Sequence, residues 1–151
     1  MAVAHTFQHL SGGQRFGKKL YSGSSTMEPG LLVFLTSGSL VSICNAADSP
    51  FGYAYGLRYS AYRPTSKYFD SGEAMSVVNG VGMAEASSDF FVGGTMPSPG
   101  NTLYAAAGGL MDTTGTYKVG YVVRVEQRID PSGGTGTSQN VALFHFNLPT
   151  L

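Results

Sequence analysis

The chain has 151 residues and no formal net charge, and its length suits one domain with a buried core. Charged residues make up 12% of it, against roughly 25% in an ordinary soluble domain. A surface so poor in charge associates readily, which predicts a subunit of a homo-oligomer or larger assembly. The composition lacks the dense lysine and arginine footprint of nucleic-acid binding and the apolar run of about 18 residues that spans a membrane, so we expect neither partner.

Residues 1–28 are predicted to form an extended N-terminal arm, followed by a β-rich domain at 29–151. Serine, glycine and threonine dominate the arm, and no helical or strand period persists in it. It has no apolar signal-peptide core, so we expect folding in a cytoplasm. Because aromatic rings can bury a large apolar area, the spaced rings of Phe7, Phe16 and Tyr21 predict that the arm lies across a neighbouring subunit. The alternative is a leader without a role.

Short apolar or alternating runs, separated by turn residues, predict strands through the rest of the chain. The last run places Ala142, Phe144 and Phe146 on one face. No stretch predicts a convincing helix. The predicted fold is all-β, a small β-sandwich or barrel of short antiparallel strands with the extended arm. The predicted strands outside the central hairpin are 31–35, 40–44, 51–59, two within 101–112, 119–127 and 140–147.

The centre of the predicted domain is a β-hairpin at 73–86. Asn79-Gly80 lies there between two short apolar runs. This dipeptide is the strongest short-range signal for a two-residue hairpin turn, because both turn positions need a positive φ. We therefore expect the chain to reverse direction at Asn79-Gly80.

The segment 60–72 is the longest irregular stretch of the predicted domain, and loops of that length usually have a function. It contains tyrosine and arginine, which are enriched in interface hot spots. We expect it to make subunit contacts, and the alternative is a lid over the open edge of the barrel or sandwich. The residues predicted at subunit interfaces are Phe7, Phe16, Tyr21, Tyr62, Arg63, Tyr68, Phe69 and Phe90.

No stretch of the sequence assembles a catalytic, cofactor or metal site. Cys44 is the single cysteine and lies in an apolar run, which favours a small buried hydrophobic residue over a nucleophile. His145 lies in the last predicted strand, where a satisfied or half-exposed histidine is expected. His5 and His9 have no third ligand nearby, so we expect no zinc site. The sequence therefore predicts a protein that is not an enzyme and that uses no cofactor.

From Pro29 onward, the run 29–33 opens a strand, and four short phrases follow it in order: the run 49–54, the run 73–81, the run 99–105 and Lys118-Val119-Gly120-Tyr121-Val122-Val123. Their order resembles that in the small β-rich decoration, or cement, proteins of tailed-bacteriophage heads. The third phrase is similar to the Gly-Asp-x-Val-Tyr-Ala of that family, with Asn101 in place of the usual Asp. The arm is longer than the resemblance leads one to expect, which leaves the mode of capsid attachment open.

The resemblance implies a virion structural protein that binds the outside of an assembled head. Its partner would be the major capsid protein, and it would form a homotrimer that clamps neighbouring capsid subunits. Its location would be the capsid surface, after synthesis in the cytoplasm of the host bacterium. One alternative is a tail-tube or neck-ring protein, which a long hairpin between strands would favour. The other is a β-barrel enzyme or a carbohydrate-binding module, in which Tyr53, Tyr55 and Tyr59 would face the sugar.

Overall fold

Strands make up most of the regular structure of the computed structural model, which describes residues 7–20, 28, 30–37, 40–55, 74–129 and 138–148. Three short 3₁₀ turns, Ser88–Phe90, Val92–Gly94 and Ala107–Gly109, accompany them. The predicted all-β class is confirmed. The strands are β1 (Phe7–Leu20), β2 (Leu32–Ser37), β3 (Leu40–Ile43), β4 (Gly52–Tyr55), β5 (Ala74–Ser87), β6 (Thr102–Ala105), β7 (Met111–Asp112), β8 (Lys118–Ile129) and β9 (Ser138–Leu148).

All nine strands belong to one curled sheet with the order β1-β3-β2-β4-β5-β9-β8-β6-β7. A further pairing joins β1 to β5, so that β1, β3, β2, β4 and β5 form a ring. The pairing of β1 with β3, at Lys19–Leu40 and Leu20–Val41, is parallel, and the other strand pairs are antiparallel. The sheet thus has the barrel-like curvature that the sequence predicts, and β9, β8, β6 and β7 extend it beyond the ring.

Strand β5 is the centre of the sheet, and the hairpin predicted within it is wrong. The chain does not reverse at Asn79-Gly80 but continues through it as one 14-residue strand. Gly80 does have the positive φ, 88°, that the dipeptide favours. It is the point at which β5 changes its partner, because β4 pairs with β5 up to Val78 and β9 pairs with it from Gly80 onward. Asn79 is fully buried, a position that suits a strand interior better than an exposed turn.

Strand β1 departs from the arm predicted for residues 1–28. Phe7–Leu20 lies along β5 of its own chain, from Phe7 opposite Ala86 to Lys19 opposite Ala74. Register shifts occur between His9 and Ser11 and between Gly12 and Gln14. These irregularities and the many polar residues explain why no strand period is visible in the sequence. The described part of the predicted arm is therefore a strand of the same sheet as the rest of the chain.

The core is lined with aromatic rings from four parts of the chain. Phe7 lies 4.9 Å from Tyr53, 5.2 Å from Phe90 and 6.1 Å from Phe144, measured between ring centroids. Tyr53 meets Phe146 edge-on at 5.2 Å. Such tilted and edge-to-face contacts are favourable for aromatic pairs. The face that Ala142, Phe144 and Phe146 share in the last strand is the inward one, because all three residues are buried.

Candidate binding surface

A row of paired residues crosses five strands on the side of the sheet that faces away from the aromatic core. Residues that pair across neighbouring strands point to the same face. Ser11 pairs with Met83, Met83 with His145, His145 with Tyr121, and Tyr121 with Thr102. The residues next to this row, such as Phe146 and Val122, are buried on the opposite side. We call the side that carries the row the outer face.

The outer face carries most of the exposed large apolar side chains among the described residues. Val81 is 53% exposed, Tyr121 49% and Val123 43%. Val123 is on the exposed side because a register shift between Val122 and Arg124 inserts it there. Leu10 is exposed beside Ser11, at a register shift in β1. The two other exposed large apolar residues, Val92 and Tyr117, lie outside the strands.

The row itself contains no lysine, arginine, aspartate or glutamate. Beside the row, Glu85 of β5 lies two residues from Met83 on the same face and is buried. The other charged groups near it belong to β8, where Arg124 Nε lies 2.5 Å from Glu126 Oε1 and Lys118 begins the strand. The side chain of Arg124 is 62% exposed, and exposed ion pairs of this kind add little to stability. The centre of the outer face is therefore neutral and partly apolar, with charges at its margin.

Tyr121 and His145 form a stacked pair in the middle of the row. Their ring centroids are 5.1 Å apart and the ring planes differ by 22°. His145 is half-buried, and its Nδ1 is buried without a hydrogen-bond partner among the described residues. His145 thus covers part of the Tyr121 ring, and Tyr121 remains half-exposed.

A shallow depression of about 270 Å³ adjoins the stacked pair, between β6, β8 and β9. Gly120 contributes bare backbone to it. A Cβ atom at this position would lie 1.8 Å from the carbonyl oxygen of His145, so any side chain would force β8 and β9 apart. The depression is lined by Thr102, Lys118, Gly120, Tyr121, His145 and Asn147.

Two residues predicted at subunit interfaces are core residues of their own chain. Phe7 is 6% exposed and Phe90 is 1% exposed, and the two rings pack on each other. Both rings are held by core packing, so neither is available on the surface of this chain. The backbone of Phe16 lies in β1. The other predicted interface residues, Tyr21, Tyr62, Arg63, Tyr68 and Phe69, lie outside the described residues.

The tyrosines considered for sugar binding are also placed differently from that alternative. Tyr53 is buried, and its hydroxyl shares a hydrogen bond with Nδ1 of His9. Burial, with a smaller contribution from the charge of Tyr55, holds the pKa of Tyr53 well above its usual value. Tyr55 is half-buried against His9, and Tyr59 lies outside the described residues. Tyr53 is thus a core residue and cannot offer its ring to a ligand.

Cys44 is buried, as the sequence predicts. Its thiol donates weakly to the carbonyl oxygens of Asp48, at 3.4 Å, and Asn45, at 3.5 Å. Burial, and then the charge of Asp48, raise the pKa of Cys44 to about 12. The thiolate is the reactive form of cysteine, so this thiol is inert near neutral pH.

The part of the chain that the structure describes has neither a metal-binding cluster nor a membrane-spanning helix. It contains no group of three or more histidine, cysteine, aspartate or glutamate side chains placed to hold a metal ion. None of its helices has the length and hydropathy needed to cross a membrane.

Sequence reasoning did not identify the outer face as a candidate site. Simple alternation along the predicted strand 119–127 would place Tyr121 and Val123 on the same face as Val119. Val119 is buried whereas the other two are exposed, because register shifts in β8 interrupt the alternation. Val81 was assigned to the hairpin. The signal present in the sequence is an aromatic and a β-branched residue next to Gly120. The sequence alone does not show which residues of other strands lie beside them.

Comparisons with protein-family models, with curated proteins and with solved structures find no match.

Proposed function

We propose that this chain is a structural protein of a tailed-phage virion, a decoration protein that binds an assembled head through its outer face. The observation that carries the proposal is the neutral row across five strands, which contains the exposed Tyr121 and is flanked by Val81 and Val123. Contiguous exposed apolar patches mark interaction sites on soluble proteins. The centres of protein interfaces are poor in charge and enriched in tyrosine and methionine, which fits Tyr121 and Met83 in this row.

The physical effect of such binding follows from mass action. A protein that binds the assembled shell but not its free subunits stabilises the shell. A homotrimer would bind through three copies of the same face, so that modest individual contacts add up as avidity. A rigid sheet suits this role because little conformational freedom is lost when it docks.

The direct test measures binding of the purified chain to empty heads assembled from the major capsid protein of the same genome. We expect saturable co-sedimentation with heads and none with free capsid subunits. Replacing Val81 and Val123 together by lysine should weaken binding at least tenfold, because two charges would be desolvated in the interface. The matched control carries the same two added charges at Val92 and Thr95, which are exposed outside the outer face.

Thermal melts should show that both double variants are folded. Failure of the unmodified chain to bind heads would contradict the proposal. So would equal binding by the outer-face variant and its control, because the docking surface would then lie elsewhere. Light scattering on the free protein checks the trimer separately.

A second candidate, a tail-tube or neck-ring subunit, is favoured by the hairpin of β8 and β9. Pairing of β9 with β5 ends at Val141, whereas pairing of β9 with β8 continues to Ser138 opposite Ile129. The end of this hairpin thus extends past β5, and a projecting hairpin can pair with a neighbour in a ring. Labelling of the protein on intact virions separates the two functions, since a decoration protein is found on the head and a ring protein at the neck or tail.

A further inference from the structure

We infer that the depression between β6, β8 and β9 is a socket for an acidic side chain of the protein on which the outer face docks. This inference rests on the proposed function and adds the chemistry of the partner. The occupant would be the carboxylate of an aspartate or glutamate that projects from the shell surface.

The lining of the depression is made of groups that donate hydrogen bonds. Lys118 supplies an ammonium group, Asn147 an amide, and Thr102 and Tyr121 hydroxyl groups. No carboxylate is among the residues that line it. An ionised carboxylate only accepts hydrogen bonds, and all four groups can donate to it. The amide and the hydroxyls could also bind a neutral ligand, so the preference for a carboxylate comes from Lys118, which carries a positive charge and only donates.

The walls of the depression are held in place before any ligand arrives. The Tyr121 ring is stacked on His145, and the bare backbone of Gly120 lets β8 approach β9 closely. Groups that are already oriented lose less conformational freedom on binding. The volume of about 270 Å³ is small and suits one side chain better than a larger ligand.

Lys118 is the reason why the occupant should be acidic. The ion pair recorded on β8 joins Arg124 to Glu126, and within the described part of the chain Lys118 has no such partner. Docking of the outer face would remove water from Lys118, and a buried ammonium group without a counter-charge is costly. A carboxylate from the partner removes that cost and forms a charge-assisted hydrogen bond, which is stronger than a neutral one.

The first experiment compares Lys118→Gln with Arg124→Gln in the head-binding assay. Both variants lose one positive charge on the same strand, but Arg124 does not line the depression. We expect Lys118→Gln to bind heads about tenfold more weakly and to depend less on salt, and Arg124→Gln to bind within about twofold of the unmodified chain. Equal losses in the two variants would overturn the socket, because overall charge would then explain both.

The second experiment does not depend on heads, so the socket can fail or succeed apart from the proposed function. Amide chemical shifts are followed by NMR while N-acetyl-glutamate amide, or its uncharged glutamine analogue, is added. We expect shifts at Lys118, Tyr121 and Asn147 with the glutamate compound only, lost in Lys118→Gln and kept in Arg124→Gln. The same shifts with the glutamine analogue would overturn the socket. So would shifts caused by a neutral methyl pyranoside and abolished by Tyr121→Ala, which would assign the depression to a sugar.

Discussion

The two sides of strand β9 differ in how deeply their residues are buried. On the inner side, Phe144 and Phe146 are buried, Phe144 against Phe7 of β1 and Phe146 against Tyr53 of β4. On the outer side, Val141 and Leu143 are buried at one end of the strand, whereas His145 is half-buried and Asn147 exposed at the other. Packing explains every ring of the inner side, whereas folding alone does not require Tyr121 or Val81 to be apolar on the outer side. The comparison teaches that stability and binding can be changed separately in this sheet.

The sharpest test of this separation is to truncate one aromatic ring on each side. Phe144→Ala should lower the free energy of unfolding by about 3–5 kcal/mol, since it leaves a cavity among Phe7 and its neighbours. Tyr121→Ala, on the adjacent strand, should cost about 1 kcal/mol, chiefly the lost contact with His145. Urea denaturation measures both. Similar losses in the two variants would mean that the outer face contributes to folding as much as the core does.

A smaller loss of stability is expected from a substitution at the close backbone contact between β8 and β9. Gly120→Ala should lower the free energy of unfolding by about 1–3 kcal/mol, because its Cβ would overlap the carbonyl of His145 and force the strands apart. The same substitution should weaken head binding, since it widens the depression. Denaturation and co-sedimentation check the two effects. Unchanged stability would show that β8 and β9 separate at this point without cost.

The smallest effect concerns Cys44, which belongs to the inner side and takes no part in binding. Its usual pKa of 9.0 is raised in the fold to about 12, so above pH 9 the unfolded chain releases a proton that the folded chain keeps. Its contribution to stability is therefore complete below pH 9 and is lost as the pH rises towards 12. In Cys44→Ala the decline over this range should be shallower. Denaturation curves from pH 8 to 11 measure it, and identical slopes in the two proteins would contradict the shift.

Sequence reasoning recovers the inner side better than the outer one. The alternation of Ala142, Phe144 and Phe146 predicts that they share one face, because regular strands have a period of two. The ring closure by β1 is not predicted, since glycines and register shifts erase that period. The hairpin turn predicted at Asn79-Gly80 is wrong for a different reason. The dipeptide favours a positive φ, and the rest of the fold decides whether that φ produces a turn or a change of strand partner.

The candidate site escapes prediction because it depends on pairing between distant strands. Neither Tyr121 nor His145 signals in the sequence that the other lies beside it. The exposure of Val123 results from one inserted residue in the ladder. The register between strands had to be known before the row could be identified.

The ring also imposes an order on synthesis. Phe7 pairs with Ala86, which leaves the ribosome 79 residues later, so β1 must wait without its partner while most of the ring is made. A waiting strand with a continuous apolar face would pair with other chains. The Gly-Gly-Gln-Arg stretch and the two lysines of β1 interrupt any such face. We therefore expect the polar composition that makes β1 look like a free arm to protect the nascent chain from aggregation until β5 has been made.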